Sequence, residues 1–222
     1  MAASPVTTPT PIGFDPSPRL LDDGRRSRKK QQTRDRLVDA ADALFARDGY
    51  EATTTADVAE AADVAQRTLF RHFPSKEALL YADMEDARLE LRDALRARSD
   101  AATVIDMVTG ALLSLEANFE ANRHRRLLQA RLAATSPAVS GYFRAVVQAG
   151  WEREMIVAVA ERLGVDPLDD PRPEILAGAA MSACRAATRQ WTADNGRDDY
   201  LDLLTQTLRS IPDIARLGAT DE

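Results

Sequence analysis

Residues 54–80 read TTADVAEAADVAQRTLFRHFPSKEALL. Thr54-Thr55-Ala56-Asp57 has the form of a capping box: a threonine oxygen accepts from a free N–H of the first turn, and Asp57 favours the positive helix end. The spacing predicts a short helix over about 55–62 that turns Val58, Ala59 and Ala62 inward, then a turn around Asp63-Val64. A second short helix follows over about 66–72, with Leu69 and Phe73, four residues apart, as its core contacts. Pro74 ends it, and Ser75 caps a third helix predicted to run unbroken through Leu79, Leu80, Met84 and Leu91 to about Arg98.

Upstream, a helical pattern begins at Ser27. Leu37, Ala40, Ala41, Leu44 and Phe45 recur at steps of three and four, and Gly49 supplies the left-handed residue that stops the helix. Residues 1–24 hold five of the eleven prolines among Ser, Thr and Gly, without period, and are expected to form a disordered arm. Downstream, helices are predicted at about 103–121, 124–134, 138–163, 173–194 and 198–216, separated by Ser136-Pro137, the Gly164-to-Pro173 loop and Asn195-Gly196. No alternating run of strand length appears. The expected fold is all-α: an arm over 1–24, a small helical domain over 25–75 and a larger one over 76–222.

The chain has 222 residues, 45% of them hydrophobic, enough for a sizeable core. One cysteine, Cys184, excludes an intrachain disulfide, and with two histidines cannot close a zinc shell. No run approaches the ~20 apolar residues of a membrane span, and Met1–Pro18 lacks the character of a secretory signal. A cytoplasmic location without a membrane partner is expected. The net charge of −6 would by itself argue against nucleic acid, but it is unevenly placed: Arg25 to Arg36 carries seven basic residues and one acid, leaving −12 for the rest. A compact basic end on an acidic body suits a chain that meets phosphates at one end only; a solvated terminal charge run is the plainer alternative.

Two short helices joined by a tight turn behind a basic helix have the geometry of a helix-turn-helix. The second helix has to lie in the major groove, so its outward face needs polar groups that reach base edges. Gln66, Arg67, Thr68, Arg71 and His72 occupy those positions, and Phe70 on the same helix is counted with them as a DNA-binding candidate. Lys76 is expected to reach phosphate, Thr53 and Thr54 lie at the entry to the motif, and Arg28, Lys29 and Lys30 belong to the basic arm. A small helical bundle with ordinary surface residues would show the same spacing.

The residues go further. Gly49-Tyr50-Glu51-Ala52-Thr53-Thr54, Asp57-Val58-Ala59 and Thr68-Leu69-Phe70-Arg71-His72-Phe73-Pro74-Ser75-Lys76-Glu77-Ala78-Leu79 closely resemble the DNA-binding domain of the TetR family over about Arg34 to Leu80. The resemblance implies a homodimer on a palindromic operator of double-stranded DNA, most often a repressor released by a small-molecule inducer. Three positions depart from the family pattern: Asp63 stands where glycine is common, Ala65 where Ser or Thr caps the recognition helix, and Phe70 where tyrosine is usual. The recognition stretch, with the later Ala-rich helix ending in Trp191, also resembles an actinobacterial subgroup that includes the mycofactocin-type regulators, some of which respond to acyl-CoA thioesters.

By the same resemblance the last two helices form the dimer interface. Ala177, Gly178, Ala180, Ala183 and Ala187 offer a small surface for close helix approach, and Leu201, Leu204, Leu208 and Ile211 an apolar stripe; packing within one subunit is the competing reading. Candidate ligand-binding residues are Phe119, His124, Gln129, Tyr142, Trp151, Met155, Arg185 and Trp191, which mix large apolar walls with a few polar groups. Arg123, Arg125 and Arg126 around His124 read first as a solvated helix end and second as an anion site.

No constellation for catalysis is evident. Glu120 and His124 lie one turn apart, but a lone pair does not recreate the doubled Glu-x-x-His of di-iron bundles. There is no nucleophile elbow, P-loop or dinucleotide fingerprint. The expectation is a ligand-responsive regulator without cofactor or metal, not an enzyme. The alternative is a helical protein-interaction adaptor that does not bind DNA.

Overall fold

The computed structural model describes residues 18–214, and every regular element among them is helical. Helix α1 (Pro18–Asp48) buries Leu37, Ala41, Leu44 and Phe45 on one face and ends at Gly49, where φ is +85°. It begins before the expected boundary, so residues 18–24 belong to a helix; the rest of the expected arm lies outside the described residues.

Helix α2 (Thr55–Ala61) carries the capping box as expected. Thr54 Oγ1 accepts from the Asp57 amide at 3.2 Å, and Asp57 accepts from the Thr54 amide at 2.8 Å. The turn to α3 (Gln66–His72) is made at Asp63, whose φ of +51° is the left-handed geometry that favours glycine at this place. Ala65 supplies no side-chain cap, whereas Ser75 Oγ caps α4 (Lys76–Leu80) by accepting from Ala78 N.

The predicted helix from 76 to 98 is in fact two, α4 and α5 (Ala82–Arg96), interrupted at the buried Tyr81. Met84 N donates to Tyr81 O, and the carbonyls of Leu79 and Leu80 accept side chains. The helix expected over 103–121 likewise divides into α6 (Val104–Leu113) and α7 (Glu116–Ala121). After α8 (Arg123–Thr135), the predicted 138–163 helix comprises α9 (Pro137–Tyr142), a π-helical stretch (Phe143–Gln148) and α10 (Ala149–Leu163). Helices α11 (Arg172–Ala193) and α12 (Tyr200–Ile214) close the chain, joined through left-handed Asn195 and Gly196.

The expected interface residues are largely spent inside the subunit. Ala177, Ala180, Ala183 and Ala187 are buried, as are Leu204 and Leu208, because α11 packs closely on α12 and α10. Ala-to-Leu packing between neighbouring helices serves the subunit's own core. The face of α11 that stays outside keeps only Gly178 of the expected residues and runs through Ile175 (66% exposed), Ala179, Ser182 and Ala186.

Candidate DNA-reading surface and ligand cavity

Helix α3 is held by Leu69 and Phe73, both buried, so its opposite face is forced outward. Gln66, Arg67 and Arg71 are exposed there, Thr68 and His72 half-buried, and Phe70 is 46% exposed. His72 titrates below the ordinary histidine range, chiefly through burial and then through the positive field of Arg71, Lys30 and Arg34. Arg34 and His72 line one cleft, which sets α1 beside the recognition helix. Arg28, Lys29 and Lys30 are exposed on α1. Arg34 is not free: it donates to Asp86 Oδ2 and to Ala82 O, each at 3.0 Å, and lies over the Phe73 ring.

Two expected DNA contacts are turned inward. Thr53 is buried and donates its hydroxyl to Gly49 O at 2.9 Å. Lys76 donates to Tyr50 O at 2.8 Å and Thr53 O at 3.1 Å, with Nζ 4.1 Å from the Tyr50 ring centroid. Two of the three ammonium N–H groups are taken by these carbonyls, which ties Lys76 to the 49–54 loop. Thr54 is exposed, but its hydroxyl is engaged with Asp57 Oδ2 at 2.7 Å.

The larger domain is hollow. A cavity of about 560 Å³ lies among α5 to α8, the π-helical stretch, α10, α11 and α12, within the size range of ligand pockets, about 300–1,000 Å³. Five of the expected ligand residues line it: Phe119, Gln129, Trp151, Arg185 and Trp191. Three do not. His124 is exposed on α8, Met155 is fully buried in the α10 core, and Tyr142 stacks on Tyr81 beside a separate, smaller cleft. Phe119 and Tyr200 stack at 4.0 Å with Trp191 set edge-on, forming a wall of three aromatic rings. The π-helical stretch turns Phe143, Arg144 and Gln148 toward the space, in keeping with the frequent occurrence of π-bulges at functional sites. Burial pushes the Cys184 thiol, also on the wall, up to about 12.

The solvated-helix-end reading of Arg123–Arg126 is overturned at two positions. Arg125 is buried and forms an ion pair with Asp42 of α1, donates to Leu79 O at 3.2 Å, and lies 3.9 Å from Asp83. Arg126, 12% exposed, lines the cavity over the Phe119 ring. Gln129, one turn on, donates to Leu80 O at 2.8 Å and Asp83 Oδ1 at 2.6 Å. Helix α8 therefore forms part of the cavity wall and also grips α1 and the α4–α5 junction. A signal existed in the sequence: Arg126, Ala130 and Ala133 fall at helical spacing and leave one arginine above two small side chains, all on the cavity wall.

No cluster of three or more His, Cys, Asp or Glu able to hold a metal occurs among the described residues, and none of their helices is long and apolar enough to cross a membrane.

The comparisons agree with this architecture. Residues 37–82 match the model for bacterial regulatory proteins of the tetR family, and residues 102–215 match the MftR C-terminal domain. The mycofactocin biosynthesis regulator MftR of Mycobacterium tuberculosis is 29% identical over 209 residues, covering 88% of this chain and 96% of that protein. The HTH-type transcriptional regulator TcmR of Streptomyces glaucescens is 29% identical over 195 residues, 85% and 81% of the two chains. In fold, the chain is similar to Thermus thermophilus FadR, a TetR-family repressor solved with lauroyl-CoA, at a TM-score of 0.58 and 21% identity over 85% of this chain and 96% of that one. These relatives lend the adaptor reading no support. The chain belongs to the TetR family of bacterial regulatory proteins and carries a C-terminal domain of the MftR type.

Proposed function

We propose that this protein is a cytoplasmic homodimeric repressor without catalytic activity, that two copies of α3 read a palindromic operator, and that an amphipathic acyl compound in the cavity releases it. The observation that carries the reading is the division of α3, with Leu69 and Phe73 buried and Gln66, Arg67 and Arg71 outward. Arginine pairs with guanine and glutamine with adenine in the major groove. Arg28, Lys29 and Lys30 add phosphate contacts from α1. The second copy is required because two recognition helices must enter the groove one turn apart. The outward face of α11 around Ile175 and Gly178 is the surface offered for it. The acyl-CoA class of inducer is supported by the largely apolar cavity and by the lauroyl-CoA held by the FadR of similar fold. The grip of α8 on Asp42 and Leu79 is the route from cavity to DNA.

A gel-shift against the DNA flanking its own gene tests this. Retention that weakens steeply between low and high salt, and release by micromolar lauroyl-CoA, are expected. Removing residues 1–30 lowers affinity for all sequences alike. A single subunit in solution scattering, or no duplex retained at any salt, would overturn the reading.

A further inference from the structure

Arg126 is a mostly buried cation, 12% exposed, without a full counter-ion. Its Nη2 donates to Asn118 Oδ1 at 2.9 Å but stands 3.6 Å from Asp83 Oδ2, beyond a hydrogen bond, and its Nη1 meets only the Met84 sulfur. Among the described residues, Arg126 Nε and Asp83 Oδ2 are both buried without a hydrogen-bond partner. Asp83 is divided: one oxygen takes Gln129, and two arginines, Arg125 and Arg126, draw on the same carboxylate. A buried charge so incompletely paired is costly and is stabilised by a further partner of opposite charge.

Resting on the proposal that the cavity holds the inducer, we infer that Arg126 is the head-group receptor of that cavity. It takes an anionic oxygen group at the end of an apolar chain, a carboxylate or a phosphate, and Asp83 is the internal counter-ion that the ligand displaces. The guanidinium, released from Asp83, turns an Nη–H and its unpaired Nε–H to the anion in the charge-assisted geometry that arginine makes with carboxylate and phosphate. Phe119, Trp151, Met181 and Leu204 provide walls for the chain. Neutral amphiphiles of the same length fit the walls but leave Arg126 unsatisfied.

Calorimetry on the full chain with laurate, lauroyl-CoA and dodecanol tests this and tells the two anionic sources apart. At least one anion binds more tightly than dodecanol. R126Q weakens that anion about 10- to 100-fold, the worth of a hydrogen bond to a charged group, and leaves dodecanol unchanged. D83N, which still accepts from Gln129, tightens the anion several-fold because the competing carboxylate is gone. R126K, charged but without the fork, falls between. If R126Q binds the anion as the native chain does, loses dodecanol equally, or D83N weakens the anion, the inference is overturned. If none of the three binds while operator DNA is still retained, the cavity reading falls with it and the DNA reading stands.

Discussion

The DNA-reading end and the cavity domain solve opposite packing problems with the same helices. Around α2 and α3 nearly every polar group near the core has a local partner: Thr54 with Asp57, Thr53 with Gly49, Lys76 with two carbonyls. In the larger domain Tyr81 Oη, Asp83 Oδ2, Arg126 Nε and Trp191 Nε1 are buried without partners, and three of the four residues line the cavity. Interiors are close-packed and polar groups satisfied unless function requires otherwise. The contrast therefore separates a part built to hold one shape from a part built to accept something else.

The largest expected difference is in stability. Leu69→Ala removes a side chain packed on all sides and costs about 3 kcal/mol, the middle of the range for buried leucines. Leu112→Ala, on the cavity wall, costs about half as much, because part of that side chain already faces space. Thermal melts of the two variants measure this, and equal losses would erase the contrast.

Arg71→Ala is next. It weakens operator binding about 10- to 100-fold and relaxes preference at one base pair, with melting temperature and ligand affinity unchanged. Gel shifts against a panel of single-base operator variants report it.

Lys76→Ala tests whether the loop lock is structural. It leaves Tyr50 O and Thr53 O without their donor and lowers stability by about 1–2 kcal/mol. DNA affinity well below the melting temperature stays within a few-fold of the native value. A uniform loss of affinity without a change in melting would instead return Lys76 to the phosphate contacts.

The smallest effect concerns His72. Its folded pKa lies below the unfolded value of about 6.5, so the folded state favours the neutral ring. The stability this contributes is complete above that unfolded value and declines as pH falls toward the folded one. In the proposed complex the negative duplex lies against α3 and favours the charged ring, so operator affinity rises as pH drops from 7 to 6, by at most about tenfold per unit. His72→Gln flattens both slopes, read by melts and gel shifts across that interval.

Local chemistry made the smaller domain legible from its residues. The capping box, the Ser75 cap, glycine and left-handed Asp63, Pro74 and the Leu69–Phe73 spacing act within a few residues of one another, and their partners are neighbours in the chain. Even there, the outward or inward turn of Lys76 and Thr53 depended on carbonyls that are free only once the 49–54 loop has closed.

The helical class, the two-part organisation and the face of α3 follow from periodicity and caps alone, because helix formation is governed by contacts three and four residues apart. The cavity, the burial of Arg125 and Arg126, the breaks at Tyr81 and Leu115 and the outward face of α11 emerged only with folding. Asp83 meets Arg125 and Arg126 across more than forty residues of chain, and which side of α11 stays free depends on where α10 and α12 pack. A helix's own sequence says that it has a buried side; its neighbours settle whether that side closes on a core or on a space.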